Sequence, residues 1–303
     1  MSSPGQIAYD QYRFIAEVDW LDIGITTNRV TNAPTVRRHL PGASYVSALG
    51  AGNAGEATQF VARIQQPDSW AYIADSLATL SASIPLAESP AVTSIEVCLD
   101  AYSKRHSKDD LVAVAAHFYA ALQNSASDNH RFTGIPGKQL TEGVRNRGHL
   151  KSRLASDRVI FIGDRDADHA QRIYVKTKDD GGLALATRLH RARVENRFTG
   201  HQLPPLTWAQ WQGYDFSRLS HWFKFREIGD SHSREAHCAL NWAPQFGQMR
   251  GTGRRKFPHV TRADVRLNRK AYDALRRLAE KMQKLRTGTT RNPLKCLISA
   301  TEV

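Results

Sequence analysis

Two short segments in the second half of the chain alternate with the period of a β-strand. In Arg172-Ile173-Tyr174-Val175-Lys176, the apolar Ile173 and Val175 are interleaved with Arg172, Tyr174 and Lys176. In Arg191-Ala192-Arg193-Val194-Glu195-Asn196-Arg197, a charged residue stands at every second position. Residues two apart on a strand share a face. Each segment therefore predicts a strand with cations, a phenol or a carboxylate gathered on one side. Ser94-Ile95-Glu96-Val97-Cys98-Leu99-Asp100 repeats the design: Ile95, Val97 and Leu99 face one way, and Glu96, Cys98 and Asp100 the other. A polar outer face is ordinary in an antiparallel sheet. What sets these three apart is the combination of carboxylate, Tyr, Lys and Arg. Two carboxylates at alternate positions can also reach one divalent cation.

The rest of the pattern predicts an α+β fold, mainly antiparallel sheet with helices packed on one face, plus a basic C-terminal helix. Tyr12 to Ile25 reads as a strand with a phase change near Trp20-Leu21, the signature of a bulge. Thr35 to Leu40 predicts a short helix, and Tyr45–Leu49 with Thr58–Ile64 a hairpin. Pro67 to Ser83 reads as a helix. Ser107-Lys108-Asp109-Asp110 opens another, whose Leu111, Val114, Ala115, Phe118, Tyr119 and Leu122 keep helical spacing. Phe216 to Phe225 reads as helical. Thr261 to Arg286 predicts an amphipathic helix with Leu267, Ala271, Leu275, Leu278, Met282 and Leu285 as its stripe. The expected organisation is a catalytic domain over residues 12–230 and a basic helical tail over 250–303.

Charge points to a partner. The 303 residues carry 42 Lys/Arg against 29 Asp/Glu, a net +13. Between Arg250 and Val303 stand fifteen Lys/Arg and four Asp/Glu, which is +11 of that total. Such a balance favours a polyanion, nucleic acid first, with Arg193, Arg197, Arg254, Arg255 and Lys256 as candidate DNA contacts. Residues 1–12 hold no apolar core segment, so no secretory signal is expected. No run approaches the ~20 apolar residues of a membrane helix. Cys98, Cys238 and Cys296 form no paired motif, and a reducing cytoplasm is the expected setting.

The stretch Val159-Ile160-Phe161-Ile162-Gly163-Asp164-Arg165, then Arg172-Ile173-Tyr174-Val175-Lys176, then Arg193-Val194-Glu195, resembles the replication initiation factor family. These are the Rep_trans-type rolling-circle initiators of plasmids and filamentous phages. Val18-Asp19-Trp20-Leu21 and the strand ending at Asp100 match two upstream pieces of that family in the same order, from about Val18 to Gly200. Asp164 stands where the family has Ser, Val175 where it has an acidic residue, and Glu96 where it has Asp.

The resemblance implies an endonuclease that nicks origin DNA. Tyr174 would be the nucleophile, leaving a 5′-phosphotyrosine and a 3′-OH primer. Lys176 and Arg172 would favour its phenolate, since a free tyrosine ionises only near pH ~10. Glu96, Asp100 and Glu195 would hold Mg²⁺ or Mn²⁺, and Arg193 would clamp a phosphate. DNA is the implied partner, with a second copy of the chain and a host helicase as further candidates.

Other motifs lead elsewhere or nowhere. Gly50-Ala51-Gly52-Asn53-Ala54-Gly55 has G-x-G-x-x-G spacing, but strand-like alternation follows it, which suits a hairpin turn better than a dinucleotide site. No two of the twelve histidines are separated by one residue, so the His-x-His metal site of many rolling-circle enzymes is absent. His221, His232 and His237 lack cysteine partners and regular spacing for zinc. The alternative to a nickase is a non-catalytic, sequence-specific DNA-binding protein, a repressor or plasmid maintenance factor. A weaker third is an RNA-binding module stacking bases on Trp208, Trp211 and Trp222.

Overall fold

The computed structural model describes residues 7–127, 130–132, 147–164, 166–179, 181–227 and 263–284. The strands are β1 Tyr12–Asn32, β2 Ala43–Leu49, β3 Glu56–Gln65, β4 Ala91–Ser103, β5 His130–Phe132, β6 Ile160–Ile162, β7 His169–Lys176 and β8 Arg191–Thr199. The helices are α1 Ala33–His39, α2 Trp70–Ser83, α3 Lys108–Ala121, α4 Arg147–Ala155, α5 Trp208–Gln212 and α6 Val265–Met282, with a 3₁₀ segment at Phe216–Phe223. The strand order is β2-β3-β1-β4-β8-β7-β6-β5. β1 and β2 each pair antiparallel with β3, as do β5 with β6, β6 with β7 and β7 with β8. The fold is α+β, as the alternation predicts.

The chain divides into two compact units, with the boundary falling inside β1 and β4. One unit comprises Val18–Ile95, Leu203–Asp215 and Arg277–Val303. Its helices begin where side chains cap them: Asn32 Oδ1 accepts the Thr35 N–H at 2.9 Å, and Ser69 Oγ accepts the Tyr72 N–H at 3.2 Å. Leu21, Ile23, Ile25, Phe60, Ala62 and Ile64 alternate inward on β1 and β3 and are buried. The glycine-rich run is the β2–β3 turn, where Gly50 and Gly55 take φ of +60° and +75°, a region glycine enters without strain. Trp208 and Trp211 sit 5.9 and 6.0 Å from Trp70 by ring centroids, so these indoles pack on one another.

The phase change expected near Trp20-Leu21 is present in the burial: Tyr12, Phe14, Ala16 and Val18 are buried before it and Leu21, Ile23 and Ile25 after it. Against β3 the register runs unbroken from Trp20 to Thr26 and shifts between Thr26 and Thr31. Leu21 is in the core, and Trp20 lies under the Arg63 guanidinium, 3.8 Å from its ring.

The other unit comprises Met1–Glu17, Glu96–Gln202 and Phe216–Arg276. α3 packs on β7 and β8. Ser107 caps it by accepting the Asp110 N–H at 3.2 Å. Its Leu111, Val114, Ala115 and Phe118 are buried, as are Ile173, Val175, Ala192 and Val194 of the strands. Gly163 makes the turn between β6 and β7 with φ +95°, and a Cβ there would meet the His169 carbonyl oxygen at 3.2 Å.

The C-terminal helix is built into the fold rather than appended to it. Leu267, Ala271, Leu275, Leu278 and Met282 are buried. On α6, Asn268 accepts the Phe225 N–H at 2.7 Å and donates to the Phe225 carbonyl at 2.9 Å. Asp10 meets Arg266 at 3.1 Å and Lys270 at 3.2 Å, and the Tyr9 hydroxyl is held by Asp264 and His117. Arg254, Arg255, Lys256, His232, His237 and Leu285 lie outside the described residues. Among the described residues, no helix is long and apolar enough to cross a membrane.

Candidate active site

β7 and β8 pair so that Arg172 faces Glu195, Tyr174 faces Arg193 and Lys176 faces Arg191. Directly opposed residues of an antiparallel pair project to the same side. Six polar side chains thus share one face of two strands, and β4, the next strand beyond β8, adds Glu96 and Asp100 to it.

The contacts are close. The Tyr174 hydroxyl donates to Glu195 Oε1 at 2.6 Å. Arg172 Nη2 donates to both oxygens of Glu96, at 2.6 and 2.7 Å, while its Nε lies 2.6 Å from Glu195 Oε2. That last contact is one of charge, because Glu195 Oε2 accepts no aligned hydrogen bond. Arg193 is held by Asp100 in a bidentate pair, both bonds 2.6 Å, with Glu195 Oε1 at 3.4 Å and Glu17 at 3.7 Å. Arg191 Nε lies 3.0 Å from Asp100.

This face is buried. Asp100 and Arg193 are fully enclosed, and Glu96, Glu195, Arg191 and Lys176 are nearly so. Ions taken out of water survive only if matched, since each costs several kcal/mol to desolvate. Here Arg172, Arg191 and Arg193 are matched by Glu96, Asp100 and Glu195. Arg172 is the network's most open member, its side chain 37% exposed against 3% for Glu96 and 1% for Glu195.

These facts redistribute the expected roles. Arg193 is not a phosphate clamp waiting at a surface: it is enclosed, and Asp100 occupies its fork. Arg197 is half-buried and donates to the Ala167 carbonyl at 3.0 Å. Lys176 is buried two residues from Tyr174 along β7. Burial, then the Glu195 charge, push the Tyr174 pKa up; Arg193 and Arg172 oppose this and are outweighed. The expected phenolate stabilisation is therefore reversed in the resting protein. Glu17 enters the network from β1 without having been singled out. Its signal was parity, because Glu17 and Asp19 alternate with Ala16 and Val18.

Part of the carboxylate set suits a hard divalent cation. Glu96 and Glu195 offer oxygens within 4.8 Å of each other, and Glu195 Oε2 is buried without a hydrogen-bond donor. Oxygen donors are what Mg²⁺ and Mn²⁺ take. Arg172 holds those two carboxylates together, and its side chain is 37% exposed. Asp100 stands apart from them, gripped by Arg193. It belongs with Glu17 and Cys98 to a separate group whose ligand atoms also lie within 4.8 Å of one another.

No protein-family model matches the chain, and no curated protein does. A solved rolling circle replication initiator protein from Geobacillus stearothermophilus is similar over 75% of this chain and 95% of that one, at 13% identity and a TM-score of 0.34. At that score the likeness says nothing about the chemistry of Tyr174 and its neighbours.

Proposed function

We propose that the chain is a DNA nickase that starts rolling-circle replication, with Tyr174 as its nucleophile. The observation that carries this reading is the meeting, on one sheet face, of a phenol, a carboxylate bonded to it and a solvent-reachable guanidinium. Tyr174 Oη attacks a backbone phosphorus. The new O–P bond forms as the P–O3′ bond breaks; the phenol gives up its proton and the leaving O3′ takes one from solvent, so the downstream strand stays on the tyrosine through its 5′-phosphate and the upstream strand keeps a 3′-hydroxyl to prime synthesis. Covalent catalysis of this kind splits one hard displacement into two reversible ones.

Arg172 is the cation an incoming phosphate meets first, and guanidinium matches phosphate bidentately. Glu96 and Glu195 are the residues that would hold Mg²⁺ or Mn²⁺, which would supply charge neutralisation at the phosphoryl oxygens. Arg193, clamped by Asp100, keeps β8 and the Glu195 carboxylate in place. The exposed Arg266, Arg269, Arg276 and Arg277 of α6 offer sequence-independent contacts to the DNA backbone.

The test is a covalent adduct. The protein is incubated with an oligonucleotide from its own replication origin, labelled on the 3′ side of the nick, with Mg²⁺ or Mn²⁺. A denaturant-resistant shifted band is expected, and it is expected to vanish in EDTA and in Tyr174→Phe. A band that persists in Tyr174→Phe reassigns the nucleophile. A wild-type protein that binds origin DNA but forms no adduct favours the second reading, a DNA-binding protein without nicking activity. One observation supports that alternative: the buried charges balance among themselves, as a purely structural network would.

A further inference from the structure

We infer that β2 is an interface: its outer edge pairs antiparallel with β2 of a second copy of this chain, about a two-fold axis at Ser47. The inference is independent of the nicking chemistry, and it concerns the compact unit that does not carry Tyr174.

A sheet edge presents unpaired N–H and C=O groups, and proteins guard such edges with short strands, charges, prolines or bulges. The two ends of this strand order are treated differently. β5 is three residues long and carries Arg131. β2 runs for seven residues, Ala43-Ser44-Tyr45-Val46-Ser47-Ala48-Leu49, with no charge and no proline. Among the described residues it pairs with β3 alone, and past the register shift after Ala43 that pairing is regular from Tyr45 to Leu49. Val46 is buried on one side, while Tyr45, Ser47 and Leu49 share the opposite face. There Tyr45 is 56% and Leu49 48% exposed. A regular, uncharged edge with two large apolar side chains standing in water is the kind that takes up another strand.

The strand is its own complement. With the axis at Ser47, Tyr45 of one copy lies directly opposite Leu49 of the other, and the symmetry makes this pair twice. Each pair takes an exposed aromatic and an exposed aliphatic side chain out of water, and cross-strand pairs are the unit of ladder stability. A charge near the axis would meet its own copy, and β2 has none. The ends of the strand agree in sign. Arg37 and Arg38 stand exposed in the last turn of α1, just before β2, and Glu56 stands exposed where β3 begins, beyond the turn that ends β2. Antiparallel pairing lays the first end of one β2 beside the last end of the other, so basic end meets acidic end on both sides of the axis. Elsewhere two copies of a chain of net +13 repel. The stretch Val18–Ile95, which holds β2, carries four Arg against six Asp/Glu. It suits a second copy and disfavours a polyanion.

The test is cross-linking at the axis. Ser47→Cys is made in the full chain together with Cys238→Ser and Cys296→Ser, which leaves the buried Cys98 as the other thiol. The two introduced thiols face each other across the axis with Cβ atoms about 4.5–5.5 Å apart, and mild oxidation is expected to give a disulfide-linked dimer. Val30→Cys in the same background, at a position 62% exposed in the same unit, is expected to stay monomeric. Equal cross-linking at the two positions overturns the inference. A strand pair of this size is a small interface, so sedimentation velocity is run at about 10–100 μM protein. The wild type is expected to sediment as a dimer. Leu49→Lys, which sets a charge against Tyr45 of the other copy and leaves the core intact, is expected to sediment as a monomer. A monomeric wild type, or a Leu49→Lys protein that stays dimeric, overturns the inference. A monomer whose β2 amides nonetheless resist hydrogen exchange puts a different strand on this edge and rules out the second copy as its occupant. None of these outcomes bears on adduct formation at Tyr174.

Discussion

The two faces of β7 and β8 bury polar groups in opposite ways. On one side, Arg172, Tyr174, Arg193 and Glu195 are ions and a phenol, matched in pairs. On the other, His169, Gln171 and Asn196 lie among apolar neighbours and carry no charge. Gln171 Oε1 accepts the Ala126 N–H at 2.8 Å, so its amide group is the donor toward Asn196 Oδ1 at 2.9 Å. That oxygen must then accept from His169 Nε2, also 2.9 Å away, which places the imidazole proton on Nε2. The ring stacks on Phe198, with centroids 4.9 Å apart and planes 7° off parallel, and Trp222 closes in at 4.0 Å. Burial lowers the His169 pKa to about 4. One face is thus held by charge matching and the other by neutrality, and the two should fail under different insults.

The largest expected effect is on the charged face. Arg193→Met leaves Asp100 enclosed with only Arg191 beside it, and should cost about 3–5 kcal/mol of folding stability in urea unfolding. Adding Asp100→Leu together with Arg191→Met removes all three ions of this cluster and should recover much of that loss, which a packing defect would not allow. A single substitution costing under about 1 kcal/mol would show that the enclosed ions are not an energetic unit.

The neutral face should yield to mild acid. His169 has a folded pKa depressed below its unfolded value of 6.5, so the unfolded chain binds the extra proton first. Stability from this group is present above pH ~6.5 and is lost as pH falls toward ~4, by about 2 kcal/mol between pH 7 and 5. Urea midpoints at pH 7 and 5, compared between wild type and His169→Gln, isolate the term. If the variant keeps the wild-type pH dependence, the imidazole is not the sensitive group.

The smallest effect separates structure from chemistry at Tyr174. Tyr174→Phe keeps the ring and removes one hydrogen bond to Glu195, and should cost only about 1 kcal/mol while abolishing the covalent adduct. A loss near that of Arg193→Met would make the phenol part of the scaffold instead of a reactive group held by it.

Much of this contrast was legible in the residue order, because strand parity is a local property. Arg172, Tyr174, Arg193 and Glu195 could be put on one face, and Ile173, Val175 and Val194 on the other, from spacing alone. The same logic made the glycine-rich run a hairpin turn and Leu267 to Met282 a buried stripe. It also placed the phase change at Trp20-Leu21, where the buried residues of β1 switch from Phe14, Ala16 and Val18 to Leu21, Ile23 and Ile25.

The amino-acid sequence by itself determined the fold class, the positions of most strands and helices and the side of the sheet on which Arg172, Tyr174, Arg193 and Glu195 stand. Only the tertiary structure decided which charge meets which. Asp100 and Glu96 lie on one strand at matching parity and read as equivalent metal ligands. Yet Asp100 is bound to Arg193 and Arg191, while Glu96 shares Arg172 with Glu195. Strand order and depth of burial also decided that Arg193 is enclosed, that Arg172 reaches solvent and that the phenol of Tyr174 is held protonated. The cause is physical. Alternation along a strand follows from local backbone geometry. The partner and the dielectric of a side chain are set by distant segments brought alongside it.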